Sequence, residues 1–178
     1  MISNGKFYES QFEEATIELL REAHWQYAFG DDIHRKYTDP LIEEDLRNFL
    51  TVQYKDKNLT TSEMDSIVAN LRNTGGQNDY YALRNAFLLY RDGYDFAYSD
   101  GRDNPFRLEY IDFEHPDHNI FRCVNQFVME QGRENRRPDI LLFINGIPVC
   151  IIELKNPTKQ NATIHDAHTQ ICTRYMRD

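Results

Sequence analysis

The chain of 178 residues is 40% hydrophobic and 28% charged, with eleven Tyr and eleven Phe, a composition that excludes disorder and supports one domain with a proper core. No run approaches the ~20 apolar residues that span a bilayer, and Met1-Ile2-Ser3-Asn4 does not open a signal peptide, so membrane and secretory classes fall away and a cytoplasmic setting is the expectation. The 29 acidic side chains outnumber 20 basic ones for a net charge of −9, which at face value argues against nucleic acid, because phosphate binding rests on Lys and Arg.

In chain order, Ser10-Gln11-Phe12-Glu13 predicts a capping box opening an amphipathic helix to about His24. Asp39-Pro40 punctuates, and a second helix runs from Leu41 to about Tyr54 on Leu46, Phe49 and Leu50. Thr60-Thr61-Ser62-Glu63 predicts another capping box, with a helix to about Arg72 that Thr74-Gly75-Gly76 ends. A fourth helix spans Asp79 to about Asp92 and closes at Gly93. The period then changes. Phe106–Glu114 alternates, Ile120–Glu130 is rich in β formers, and Pro138–Ile144 and Ile147–Lys155 are nearly continuous apolar runs flanking Asn145-Gly146, a strong hairpin signal. From Thr163 onward the pattern is helical again. The expectation is an α+β fold over 1–178: helical over 1–95, a mixed, mostly antiparallel sheet over 104–155, and a C-terminal helix over 163–178.

Charge is unevenly divided. Residues 1–118 hold 12 basic and 23 acidic side chains, whereas residues 119–178 hold 8 basic and 6 acidic. The last third is therefore the part able to face an anion. The three cysteines, Cys123, Cys150 and Cys172, are odd in number and lack metal-like spacing, which suits a reducing compartment. Cys150 is read as packing in its strand rather than reacting.

Two charges, Glu153 and Lys155, interrupt the apolar run Val149–Lys155 and project from one face, two residues apart. Such charges are costly on a buried strand unless paired or metal-bound. Asp139 begins the preceding strand, so one carboxylate on each of two adjacent strands, with a lysine alongside, makes a compact divalent-metal site. Register constrains this reading. A two-residue Asn145-Gly146 turn pairs Ile144 with Ile147 and sets Asp139 on the face opposite Glu153. The expectation is therefore a three-residue loop with Gly146 left-handed, or a bulge near Asp139.

Pro138-Asp139, then Glu153-x-Lys155 across a hairpin, resembles the P-D…(D/E)-x-K signature of the restriction-endonuclease-like nuclease fold. The stretch Arg136–Val149 followed by Glu153–Pro157 is similar to the amino-terminal nuclease domain of the type I restriction enzyme R subunit, as are Glu9–Glu13 with Ile17, Leu19 and Leu20, then Trp25 with Gly30-Asp31-Asp32, and Phe121-Arg122 with Asn125-Gln126. The resemblance implies that Asp139 and Glu153 bind Mg²⁺ (Mn²⁺ may substitute), that the Leu154 backbone carbonyl joins the metal shell, and that Lys155 serves hydrolysis. An acid on the first helix, here Glu13, is a further metal candidate. It also implies double-stranded DNA as substrate, methylation and specificity subunits as partners, and motor domains in the same R subunit. No G-x-x-x-x-G-K-[ST] loop is present, so this chain is expected to bind no ATP. Arg133, Arg136, Arg137, Lys159 and Arg174 are the candidate phosphate contacts. The family often carries Q-x-x-x-Y on the helix after the lysine. Here Gln170 is followed by Tyr175 at five residues, half a turn off its face in a regular helix, so a helix irregularity realigns them or one alone serves.

Two rival readings stand beside the endonuclease: a non-catalytic DNA-binding or subunit-docking module that keeps the fold, and an unrelated α+β structural domain. His115-Pro116-Asp117-His118 and His165-Asp166-Ala167-His168 have ligand-like spacing, but zinc sites want four ligands, usually with Cys or further His, and none of these sits nearby at a suitable step, so these are read as surface histidines. The aromatics of Tyr80–Tyr98 are read as core rather than as a base-stacking platform.

Overall fold

Helix α1 (Glu9–Glu22) opens the described part of the chain, which in this computed structural model comprises residues 9–74, 78–131, 134–155 and 164–175. Ser10 already lies inside α1, so it is not the N-cap that the first capping-box pattern predicts. The chain reverses at His24, with φ 67°, and enters strand β1 (Gln26–Phe29). Sequence pattern does not reveal β1, because Gln26, Tyr27 and Phe29 are all exposed and no apolar alternation exists. Its partner makes it a strand. β1 pairs in parallel with β4 (Phe121–Asn125), with Tyr27 opposite Cys123, and Trp25 meets Phe121 edge-on with ring centroids 5.2 Å apart. The first 95 residues are therefore not wholly helical.

By contact the chain forms two units, one of residues 1–40, 121–143 and 148–178, the other of residues 41–120 and 144–147. The first is built on a four-stranded sheet in the order β1-β4-β7-β8, with β7 at Ile140–Ile144 and β8 at Ile147–Ile152. The Gln126 amide donates to the Asp139 carbonyl (3.2 Å) and the Asn145 amide to the Ile120 carbonyl (2.8 Å), so β4 and β7 run antiparallel. Buried Cys123, Val124, Phe127, Ile140, Leu141 and Phe143 form the core of this unit. The expected strand over 120–130 breaks at Gln126, whose φ is 56°, and resumes as β5 (Met129–Gln131), antiparallel to β6 (Glu134–Arg136). Cys150 is exposed on β8 rather than packed. Helix α5 (Ile164–Gln170) ends the unit and passes directly into a π-helical turn, Ile171–Tyr175.

The second unit holds α2 (Glu43–Gln53), α3 (Thr61–Arg72) and α4 (Asp79–Asp92), then a hairpin of β2 (Tyr94–Phe96) and β3 (Phe106–Leu108). Amphipathic spacing puts Leu46, Leu50, Ile67, Val68 and Leu71 into one core with Leu108 and Tyr110. Tyr94, Phe96 and Tyr98 pack against one another as expected, whereas Tyr80, Tyr81 and Phe87 on α4 are exposed. Ile147 joins this core, and the turn before it is fixed by the Gly146 carbonyl, which accepts from the Ile42 amide at 2.9 Å. Gly146 has φ 75°, and a Cβ there would overlap the Ile42 carbonyl, so no other residue fits without displacement.

The second capping box forms as read. The Glu63 amide donates to Thr60 Oγ1 at 3.2 Å, and the Thr60 amide donates to Glu63 Oε2 at 2.9 Å. Arg102 grips the same carboxylate through both terminal nitrogens, at 2.8 and 2.7 Å. These bonds, Arg102 first, hold the Glu63 carboxyl down to about 2 from its ordinary 4.5. A carboxyl depressed on folding stabilises the fold above its ordinary pKa, and that stability is lost as pH falls through the folded value. The expected result is that Arg102→Ala lowers stability at neutral pH and moves the acid-unfolding midpoint, followed by circular dichroism, to higher pH. An unmoved midpoint would show the pair to be idle.

Candidate active site

The hairpin of β7 and β8 turns on two residues, Asn145 (φ 51°) and Gly146 (φ 75°). Both left-handed conformers in succession make the tight turn whose twist matches the flanking strands. The expected three-residue loop is therefore absent. Yet Asp139 still reaches the Glu153–Lys155 segment. Its Oδ2 accepts a hydrogen bond from the Leu154 amide at 2.7 Å. The physical reason is that alternation holds only within the strands. β7 begins at Ile140 and β8 ends at Ile152, so Asp139 and residues 153–155 lie just beyond the strand ends.

Around that bond the charges gather. The Glu153 side chain is 1% exposed, and the Lys155 ammonium lies 3.6 Å from its Oε2. Burial pushes the Asp139 carboxyl above the usual range. The Leu154 amide and Lys155 pull it back, while Glu153 and Glu13 add to the rise. Glu13 is held by residues distant in sequence rather than by a cap at Ser10. Its Oε1 accepts from Asn125 Nδ2 at 3.1 Å and from Gln126 Nε2 at 3.2 Å, and Tyr27 Oη donates to Asn125 Oδ1 at 2.9 Å. The left-handed backbone at Gln126 sets this up, since its amide donates to the Asp139 carbonyl. A Cβ on Gly30 would overlap the Gln126 carbonyl, so the close approach of the two segments needs glycine there.

Sequence reading named Asn125 and Gln126 only as matching positions, and missed their grip on Glu13. The available signal was two consecutive amides, Asn125 and Gln126, at the end of β4. Among the candidate phosphate contacts, Arg136 ends β6 half-buried and Arg137 follows it exposed. Arg133 and Lys159 lie outside the described residues, as do the side chains of Gln170, Arg174 and Tyr175. The backbone between Gln170 and Tyr175 is the π-helical turn. Its hydrogen bonds join residues five apart, so positions 170 and 175 stand close to one full turn from each other.

A family model described as type I restriction enzyme R protein N terminus matches residues 6–178. The chain belongs to this family. Within it, the chain is 28% identical over 175 residues to the type I restriction enzyme HindI endonuclease subunit of Haemophilus influenzae, covering 93% of the chain and 16% of that subunit. It is 30% identical over 174 residues to the putative type I restriction enzyme MjaIXP endonuclease subunit of Methanocaldococcus jannaschii, again covering 93% of the chain and 16% of the relative. This R-protein N-terminal chain thus spans about a sixth of the length of those relatives. No solved structure matches it. No helix among its described residues is long and apolar enough to cross a membrane.

Proposed function

We propose that residues 1–178 are one Mg²⁺-dependent DNA endonuclease domain of a type I restriction-modification R subunit, hydrolysing phosphodiester bonds of unmodified double-stranded DNA in the prokaryotic cytoplasm. One observation carries the reading: the Leu154 amide bond to Asp139 at 2.7 Å, which ties the aspartate after Pro138 to the Glu-x-Lys segment. The donor set fits a hard dication. Burial raises Asp139, and Glu153 and Glu13 raise it further, which is the field of an oxygen-lined site with surplus negative charge.

Asp139, Glu153 and the Leu154 carbonyl would hold the ion, with Glu13 as a further acid. When bound, Mg²⁺ or Mn²⁺ supplies charge neutralisation at the scissile phosphate and Lewis acidity toward water. Lys155, paired with Glu153 yet a quarter exposed, orients the attacking water and offsets the charge developing on the phosphate oxygens. Asn125 and Gln126 hold the Glu13 carboxylate in one orientation through two amide donors. Gln170 and Tyr175 are proposed to serve the same site from the π-helical turn. Arg133, Arg136, Arg137, Lys159 and Arg174 contact DNA phosphates. Motor domains of the same R subunit, and the methylation and specificity subunits, are the proposed partners, and ATP is bound by the motor rather than by this chain.

The test is anomalous scattering from Mn²⁺-soaked crystals. A peak between Asp139 and Glu153 that disappears in Asp139→Asn is the expected outcome, with cleavage by the assembled enzyme abolished by EDTA. A fully formed site that takes no Mn²⁺ would sink the metal-dependent reading and favour a docking module that merely keeps the fold.

A further inference from the structure

A second cluster lies in the unit of residues 41–120, and it is independent of the nuclease reading. Asp112 is 5% exposed. His118 Nδ1 lies 3.1 Å from its Oδ2, and His115 Nδ1 lies 3.7 Å from the same oxygen. The two imidazoles stack with centroids 4.9 Å apart and planes 17° from parallel. One ligand atom from each of the three residues falls within 4.8 Å of the others.

We infer that Asp112, His115 and His118 form a binding site for one zinc-class transition ion, with a water completing its coordination. The donors decide the class. Two imidazoles and one carboxylate suit Zn²⁺, Co²⁺ or Ni²⁺, whereas Mg²⁺ asks for oxygen throughout. The distances agree. Zinc bonds to nitrogen and oxygen of about 2.0–2.2 Å put neighbouring tetrahedral ligands about 3.3 Å apart, and the two measured separations lie on either side of that value.

The carboxylate is held for the task. Oδ1 accepts from the amides of Glu114 (3.1 Å) and His115 (2.8 Å), and Gln53 Nε2 donates to Oδ2 at 3.1 Å. Asn119 pins the backbone from both sides, accepting from the Asp112 amide at 2.9 Å and donating to its carbonyl at 2.7 Å. Pro116 starts the 3-10 turn Pro116–His118 that returns His118 to Asp112. Such outer bonds fix ligand orientation before the ion arrives. The imidazoles are more than half exposed, 61% and 51%, so the ion enters and a water completes the shell without rearrangement of the core. Sequence reading set this histidine pair aside for want of further ligands. The structure supplies one, three residues upstream.

The experiment is isothermal titration of the untagged 178-residue chain with Zn²⁺, and with Co²⁺ followed by its visible absorption. With excess Mg²⁺ present to fill the all-oxygen site, one equivalent is expected to bind. His115→Ala and His118→Ala each weaken it by about tenfold or more, and Gln53→Ala weakens it by about tenfold through the outer shell. Both histidines are exposed, so these variants keep the fold, and circular dichroism checks that they do. His168→Ala tests the other adjacent pair, His168 and Cys172, whose Nε2 and Sγ lie 3.5 Å apart, and it is expected to leave the Asp112 site unchanged. Asp139→Asn is expected to leave zinc binding unchanged too, so failure here and failure of the nuclease proposal read differently. Absence of Zn²⁺ binding, or binding undiminished in the His115→Ala/His118→Ala double variant, overturns the assignment.

Discussion

Lys155→Ala is expected to lower DNA cleavage by the assembled R subunit about a thousandfold while leaving Mn²⁺ bound. Removing one preorganised group that meets developing transition-state charge costs about 10²–10³ in rate, and Lys155 supplies no lone pair to a cation. Asp139→Asn is expected to lose both cation and cleavage, because it removes a charged ligand beside Glu153. The contrast between the two variants, measured as plasmid nicking alongside metal binding, separates chemistry from cation capture. Lys155 is also the counter-ion, 3.6 Å away, of a carboxylate that is 1% exposed. A thermal melt of each variant must therefore accompany the assay. Cleavage undiminished in both variants would remove this segment from the catalytic machinery.

Asn145→Ala is expected to destabilise the fold by about 3 kcal/mol or more. Asn145 is fully buried. Its Oδ1 accepts from the Ile120 amide at 2.7 Å, and its Nδ2 donates to the Tyr110 carbonyl at 2.9 Å and to Asn119 Oδ1 at 2.7 Å. Alanine would leave a buried donor and acceptors without those partners, at about 1–3 kcal/mol each. It would also have to adopt φ 51°, which asparagine tolerates better than alanine. Asn145→Asp keeps the acceptor for Ile120 but turns an oxygen toward the Tyr110 carbonyl, so it is expected to be no milder. Urea unfolding should report a lower midpoint at constant slope. A shift under about 1 kcal/mol would mean that water replaces the amide, contrary to its burial.

Local signals carried most of the helical reading. Glu63, three residues past Thr60, and Gly93, just past Asp92, act within a turn of their own positions, and both behave as read. Glu13 shows the limit. The same Ser-x-x-Glu pattern at Ser10 predicts a cap, but partners 112 and 113 residues away in sequence take its carboxylate instead. β1 escaped detection for the same reason, since a parallel partner, not its own pattern, makes it a strand. At the hairpin the order of inference reversed. Asn145-Gly146 correctly signals a turn, and both residues adopt positive φ. The mistaken step was to extend strand alternation past Ile140 and Ile152, where regular pairing has already ended.

The π-helical turn at Ile171–Tyr175 bears on the five-residue step from Gln170 to Tyr175. An added residue in a regular helix rotates everything downstream by about 100°. Widening a single turn absorbs the addition locally, and residues beyond it keep their phase. A pattern search that fixes the gap after Gln170 at four residues would discard this chain, although the π-helical turn fits five residues into little more than one turn. Spacing in such a signature is better counted in turns than in residues.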